Sequence, residues 1–155
     1  MSLIIELTAF GPRSGGGEKP REWIKEQLIE LSEGRIEVQI LGNAESIVGL
    51  LPGYLPGNNP VLMIGGHYDT VGGPGANDDA SGVATMLTIA EIMSIYSFNH
   101  TTRFIGLSGH ESPPLYTYGS TAYVRRAYKE EENIVGVINL DMIGNTTKEG
   151  NVFQV

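Results

Sequence analysis

The stretch GGHYDTVGGPGANDDASG, residues 65–82, contains one histidine, three aspartates and six glycines. Carboxylates this close in sequence repel one another unless a cation lies among them. An imidazole nitrogen and several carboxylate oxygens form a mixed ligand set that suits zinc, and cobalt and manganese accept it as well. The stretch therefore predicts a divalent metal site in a glycine-rich loop.

Further histidine and acidic residues follow the predicted strands that surround this loop. His67 and Asp69 follow VLMIGG, His110 and Glu111 follow RFIGLSG, and Asp141 follows VGVINL. In an open α/β sheet, ligands bind beyond the carboxyl ends of the strands, so we expect these side chains to meet at one edge. The loop that enters the next helix adds Asp78 and Asp79, which can also be simple N-cap residues, as can Ser81.

The elements that must position these residues alternate along the chain. Apolar residues at helical spacing predict helices in EKPREWIKEQLIEL, SGVATMLTIAEIMSIYSF and YGSTAYVRRAYKEEE. Short apolar or alternating runs predict strands in RIEVQI, SIVGLLPG, VLMIGG, TTRFIGLSG and NIVGVINLDMIG, and NVFQV begins one more. This order predicts one α/β domain over residues 1–155, with helices on both faces of the sheet.

Composition excludes several classes of function. The chain has 155 residues, 41% hydrophobic content, a formal net charge of −8 and no cysteine, so disulfides and thiolate chemistry are excluded. The acidic balance disfavours nucleic acid as a partner. The sequence has no membrane-spanning run, and its first residues lack the basic and apolar segments of a signal peptide, which can be removed from a mature chain. We expect a soluble chain, cytoplasmic as written, and leave its compartment open, with a mature fragment of a secreted protein as the alternative.

Five successive motifs of the chain resemble those of the co-catalytic di-zinc aminopeptidases, of the bacterial leucyl aminopeptidase type within the zinc exopeptidase superfamily. These motifs are GGHYDTV, PGANDDASGVATMLTIAE, RFIGLSGHE, YGSTAYV and INLDMIG. The resemblance implies a three-layer α/β/α fold with a mixed, mostly parallel central sheet. It also implies a cis peptide bond between Asp78 and Asp79, and an enzyme that uses metal-activated water to remove N-terminal amino acids from peptides.

The resemblance assigns a role to each matching residue. His67 would bind the first zinc ion, Asp78 would bridge both ions, and Asp141 would complete the first site. Glu111 would bind the second zinc ion. Asp69 would accept the other ring N–H of His67 and orient the imidazole without touching metal.

The chain departs from the family pattern after RFIGLSG. The family has two adjacent glutamates there, the first of which is the general base, whereas this chain reads SGHE. An ungapped alignment places His110 in the base position and keeps Glu111 as a ligand. A shift of one residue would make Glu111 the base and leave Ser112 as a poor ligand, but strand register favours the ungapped alignment. His110 is then a replacement base or an extra zinc ligand, unless the position has lost its role.

A second departure concerns the last zinc ligand of the family, a downstream histidine in a segment that this sequence lacks. The remaining histidine, His100, precedes a strand and is expected at the surface, away from the site. We therefore expect one well-held zinc site and a weak or incomplete second site. Two alternatives remain open: a single-zinc acyltransferase of the glutaminyl cyclase type, and a catalytically impaired binding module. An exposed sheet edge would also permit a homo-oligomer.

Overall fold

A computed structural model describes residues 2–42, 45–55, 59–111 and 118–144. Its helices are α1 (Leu3–Thr8), α2 (Glu18–Leu31), α3 (Ala80–Ser94) and α4 (Tyr118–Lys129), and its strands are β1 (Glu37–Leu41), β2 (Ser46–Leu51), β3 (Val61–His67), β4 (Thr101–Leu107) and β5 (Ile134–Asn139). Each corresponds to a predicted element except α1, which the sequence did not predict. The strand predicted at NVFQV lies outside the described residues. None of the helices in these ranges is long and apolar enough to cross a bilayer.

The five strands form one mixed sheet in the order β1-β2-β4-β3-β5. Strand β2 runs antiparallel to both of its neighbours, whereas β3 runs parallel to β4 and to β5. Four of the five strands therefore point the same way, with β2 as the exception. The predicted α/β fold with a mixed, mostly parallel sheet is confirmed.

Adjacent residues of a strand point to opposite faces of the sheet. Each face therefore presents apolar side chains, and helices cover both. On one face, α1, α2 and α3 bury a large apolar cluster that includes Ile47, Ile64 and Phe104. On the other face, Tyr123 and Ala127 of α4 pack against Val48 and Ile105. These two clusters make the three layers that the sequence predicted.

The parallel strands bring the candidate residues to one edge of the sheet. In the register of the sheet, His67 of β3 pairs with Leu107 of β4, and Gly65 of β3 pairs with Asn139 of β5. The segments that leave these three strands therefore begin side by side. His100 lies just before β4, at the opposite end of the sheet, and is exposed as expected.

Candidate metal centre

His67 ends β3 with its ring buried and one nitrogen aimed into the site. Its Nδ1 lies 3.0 Å from the backbone carbonyl oxygen of Asp69 and 3.5 Å from the Asp69 carboxylate. The nearer partner of the ring is therefore the carbonyl group, although the resemblance implied the carboxylate. A donor at Nδ1 leaves Nε2 as the nitrogen with a free lone pair, as a metal-binding histidine requires.

The Asp69 carboxylate holds the segment that follows β4. Its Oδ1 accepts the backbone N–H of His110 at 3.1 Å, and its Oδ2 accepts the backbone N–H of Glu111 at 2.8 Å. Burial alone would raise the pKa of Asp69, but the hydrogen bonds from His67 and from these two amides lower it. Asp69 is thus an ionised, fully buried carboxylate that positions residues from two strands.

Asp78 faces His67 across a gap that suits a cation. Asp78 Oδ1 lies 2.9 Å from His67 Nε2, but the contact lacks hydrogen-bond geometry. Both atoms are buried, and among the described residues neither has a hydrogen-bond partner. Buried polar atoms normally have partners, so this unpartnered pair is the arrangement expected of two ligands to one ion. The peptide bond between Asp78 and Asp79 is cis, as the resemblance implied.

Asp79 holds the segment that follows β5. It is the N-cap residue of α3, and its Oδ1 accepts the backbone N–H groups of Gly82 at 3.0 Å and Met142 at 3.2 Å. The second bond fixes the residue that follows Asp141. Burial, aided by the negative charge of Asp141, raises the pKa of Asp79 to about 7 despite the opposing effect of His67. The N-cap prediction was right for Asp79, but it missed this second contact.

Two glycines are required by close approaches around these acids. Gly75 has a φ of +57°, and a Cβ atom there would collide with the carbonyl oxygen of Asp78. A Cβ atom at Gly82 would collide with the carbonyl oxygen of Leu140 and with the Asp79 carboxylate. Glycine at these two positions therefore allows the loop to fold back and the start of α3 to pack closely.

Arg13 supports the loop from beneath, and sequence reasoning missed it. The side chain is buried, and its Nε donates to the carbonyl oxygen of Tyr68 at 2.7 Å. The guanidinium group also donates to the carbonyl oxygens of Leu7, Pro74 and Gly75. Burial lowers the pKa of Arg13, and the charges of Asp69 and Asp79 oppose that effect. An arginine in a glycine-rich loop carries no local signal of burial, because its main partners lie more than 50 positions away.

The predicted site residues converge in two groups that share His67. One ligand atom each from His67, Asp78 and Glu111 lies within 4.8 Å of the others, and the same holds for His67, His110 and Asp141. The resemblance implied a different grouping, with Asp141 beside Asp78 on the first ion. The rings of His67 and His110 lie with their centroids 4.5 Å apart.

The electrostatics of the site favour a positive charge. Burial would lower the pKa of His67, but the hydrogen bond to Asp69 and the charges of Asp79, Asp69 and Asp78 together raise it to about 9. The surrounding acids therefore stabilise a cation at Nε2, and a metal ion can replace the proton there. The donor set of imidazole and carboxylate groups fits zinc.

Comparisons with known proteins agree with this chemistry. A protein-family model described as peptidase family M28 matches residues 46–154. A probable zinc metalloprotease of Pyricularia oryzae is 28% identical over 180 residues, and a probable leucine aminopeptidase 2 of Aspergillus oryzae is 33% identical over 130 residues. The LapA aminopeptidase of Legionella pneumophila superposes with a TM-score of 0.79 over 90% of this chain and 41% of its own, at 22% identity, which shows a shared fold.

These matches cover most of this chain but a minor part of each relative. The alignments span 94% of the chain and 35% of the Pyricularia protein, and 77% of the chain and 25% of the Aspergillus protein. The chain thus spans less than half of the length of the curated relatives it matches.

Proposed function

Because this chain belongs to peptidase family M28, we propose that it carries the zinc centre of an aminopeptidase that removes N-terminal amino acids from peptides. The observation that carries the proposal is the buried, unpartnered pair formed by His67 Nε2 and Asp78 Oδ1, 2.9 Å apart. The leucine aminopeptidase named among the relatives supports the choice of a substrate with a free N-terminus.

Four zinc ligands are proposed: His67, Asp78, Asp141, and either Glu111 or its neighbour His110. Zinc bound there would lower the pKa of a coordinated water molecule and polarise the peptide carbonyl group. Asp69 is proposed as a positioning residue, because its carbonyl group fixes the ring of His67 while its carboxylate fixes the backbone of Glu111. The remaining acidic charge would attract the protonated α-amino group of a peptide.

Proton transfer needs a group at the mouth of the site. His110 and Glu111 stand there with their side chains 37% and 29% exposed, and His110 Nε2 lies 3.7 Å from Glu111 Oε1. A neutral imidazole or a carboxylate at this position can accept a proton from water and return it to the leaving amine. We propose that one of these two groups binds zinc and that the other acts as the general base.

The proposal is tested by amino-acid release from leucine 4-nitroanilide, with protein stripped of metal by a chelator and then reloaded with zinc. We expect release by the reloaded protein, a loss of at least about 100-fold without zinc, and a similar loss in Asp78→Asn. N-acetyl-leucine 4-nitroanilide serves as the matched substrate without a free amine and should not react.

A folded, zinc-loaded protein that releases no leucine would contradict the proposal. Cyclisation of a glutaminyl peptide in place of leucine release would identify the acyltransferase alternative. Equal cleavage of the acetylated substrate would show a peptidase that does not require the free N-terminus.

A further inference from the structure

His67 can serve only one metal ion. Its Nδ1 is occupied by the carbonyl oxygen of Asp69, so Nε2 is the nitrogen left for a ligand bond. Both groups of converging residues include His67. A single ion must therefore take its other ligands from one group or the other, or from parts of both.

We infer that His110 is a zinc ligand, and that the ion on His67 Nε2 is held by His110 and Asp141 together with Asp78. This inference rests on the proposed function and specifies its metal centre. Ligand atoms of His67, His110 and Asp141 lie within 4.8 Å of one another, and the two imidazole rings lie 4.5 Å apart with their planes inclined by 33°. Asp78 Oδ1 lies 2.9 Å from His67 Nε2. Two imidazoles with carboxylate oxygens are a donor set that catalytic zinc sites use.

Asp69 places both histidines. Its carbonyl oxygen holds the ring of His67, and its carboxylate accepts the backbone N–H of His110 at 3.1 Å. One buried residue thus fixes both imidazole-bearing segments relative to each other. Such outer hydrogen bonds orient metal ligands, whereas a base that only collects a proton from water needs no fixed distance to another imidazole.

The choice of His110 over Glu111 as a zinc ligand follows from ligand chemistry. The group with Asp78 and Glu111 offers one nitrogen and two carboxylates, whereas the group with His110 and Asp141 offers two nitrogens and one carboxylate. Borderline-soft zinc favours imidazole nitrogen more than magnesium or calcium does. With His110 on the ion, Glu111 is the carboxylate that remains to accept a proton.

X-ray absorption spectroscopy of the protein loaded with one equivalent of zinc tests this inference, because imidazole ligands give a countable multiple-scattering signal. We expect two imidazoles in the unmodified chain and one in His110→Gln. Zinc affinity, measured by chelator competition, should fall at least about tenfold in that variant. His100→Gln makes the same change at the exposed histidine at the far end of the sheet, and should alter neither reading.

One imidazole in the unmodified protein, or an unchanged zinc affinity in His110→Gln, would overturn the inference. Failure of this inference can be distinguished from failure of the proposed function. Zinc held through one imidazole with leucine release intact would reject the ligand role alone. Zinc held through two imidazoles without hydrolysis of any peptide would reject the aminopeptidase and keep the ligand role.

Discussion

The two sides of the candidate metal centre are built differently. The buried wall consists of Arg13, His67, Asp69 and Asp79, which are at most 4% exposed. The open wall consists of His110, Glu111 and Asp141, which are all partly exposed. Side-chain hydrogen bonds hold the buried wall to distant carbonyl and amide groups. The open wall is held through its backbone, because the N–H groups of His110 and Glu111, and of Met142 next to Asp141, donate to the carboxylates of the buried wall.

The acidic residues of this site therefore have two different roles. Asp69 and Asp79 are each 0% exposed, and each accepts hydrogen bonds from backbone amides in the segment that follows another strand. Asp78 Oδ1 instead has no hydrogen-bond partner and lies 2.9 Å from His67 Nε2. Asp79 Oδ2 also lacks a hydrogen-bond partner, because both amides bond to Oδ1. Carboxylates that accept backbone amides hold the candidate ligands in place, while the Asp78 oxygen that faces His67 is available to an ion.

Removal of Arg13 should have the largest effect, because it undoes the support of the buried wall. Arg13→Met leaves the carbonyl oxygens of Tyr68 and Pro74 without the donors that Arg13 supplies, whereas Gly75 keeps the backbone N–H of Ala80. An unpaired buried acceptor costs about 1–3 kcal/mol, so we expect a loss on the order of 2–4 kcal/mol in the free energy of unfolding in urea. Arg125→Met is the control at an exposed arginine and should change that energy by less than about 0.5 kcal/mol. Equal effects of the two substitutions would show that Arg13 is not a support.

Neutralising Asp69 should have the next largest effect, which is a loss of zinc affinity. Asn at this position can accept only one of the two amides of His110 and Glu111, and its NH2 group opposes the other. We expect zinc affinity in Asp69→Asn to fall by about 10–100-fold in chelator competition, as for other lost partners of metal ligands.

Asp79→Asn makes the same chemical change in the other fully buried carboxylate, so its effect on zinc affinity can be compared directly with that of Asp69→Asn. Asp79 accepts both amides at Oδ1, an atom that asparagine retains. Its effect on zinc affinity should therefore be smaller than that of Asp69→Asn. A larger effect would mean that the segment after β5, and not the one after β4, determines how tightly the ion is held.

The pH dependence of the metal-free protein tests Asp79 and His67 separately from zinc binding. The pKa of Asp79 is about 7 in the fold and about 3.9 in an unfolded chain, so its contribution to stability falls as pH rises between these values. The pKa of His67 is about 9 in the fold and about 6.5 unfolded, so its contribution is complete below pH 6.5 and is lost as pH rises through 9. Both changes have the same sign.

Urea unfolding of chelator-treated protein at pH 5, 7 and 9 measures this trend. We expect the free energy of unfolding to decrease as pH rises across the range, with Asp79 responsible for the lower part of the decrease and His67 for the upper part. Asp79→Asn should remove the decrease between pH 5 and 7, and His67→Gln the decrease between pH 7 and 9. A stability that rises with pH would contradict both assignments.

Local patterns predicted much of this architecture. The apolar spacing in EKPREWIKEQLIEL predicted α2 with both of its bounds, and the ends of β3, β4 and β5 placed His67, His110, Glu111 and Asp141 at one edge of the sheet. Helix α1 was missed because six residues carry less than two turns of periodicity.

The supporting contacts could not be predicted, because they join residues that are far apart in the sequence. Arg13 contacts carbonyl groups 55 and 61 positions away, and Asp79 contacts an amide 63 positions away. No periodicity or turn signal encodes such a pair. The carboxylate bonds of Asp69 likewise depend on how β3 and β4 lie beside each other, which residue types alone do not reveal.

Zinc content after gel filtration in metal-free buffer tests the central claim most directly: residues from three strand ends jointly bind one divalent cation. The account predicts one tightly bound zinc ion per chain, and none in a folded His67→Gln variant. A folded unmodified chain that retains no zinc, or a His67→Gln variant that still retains it, would contradict the account.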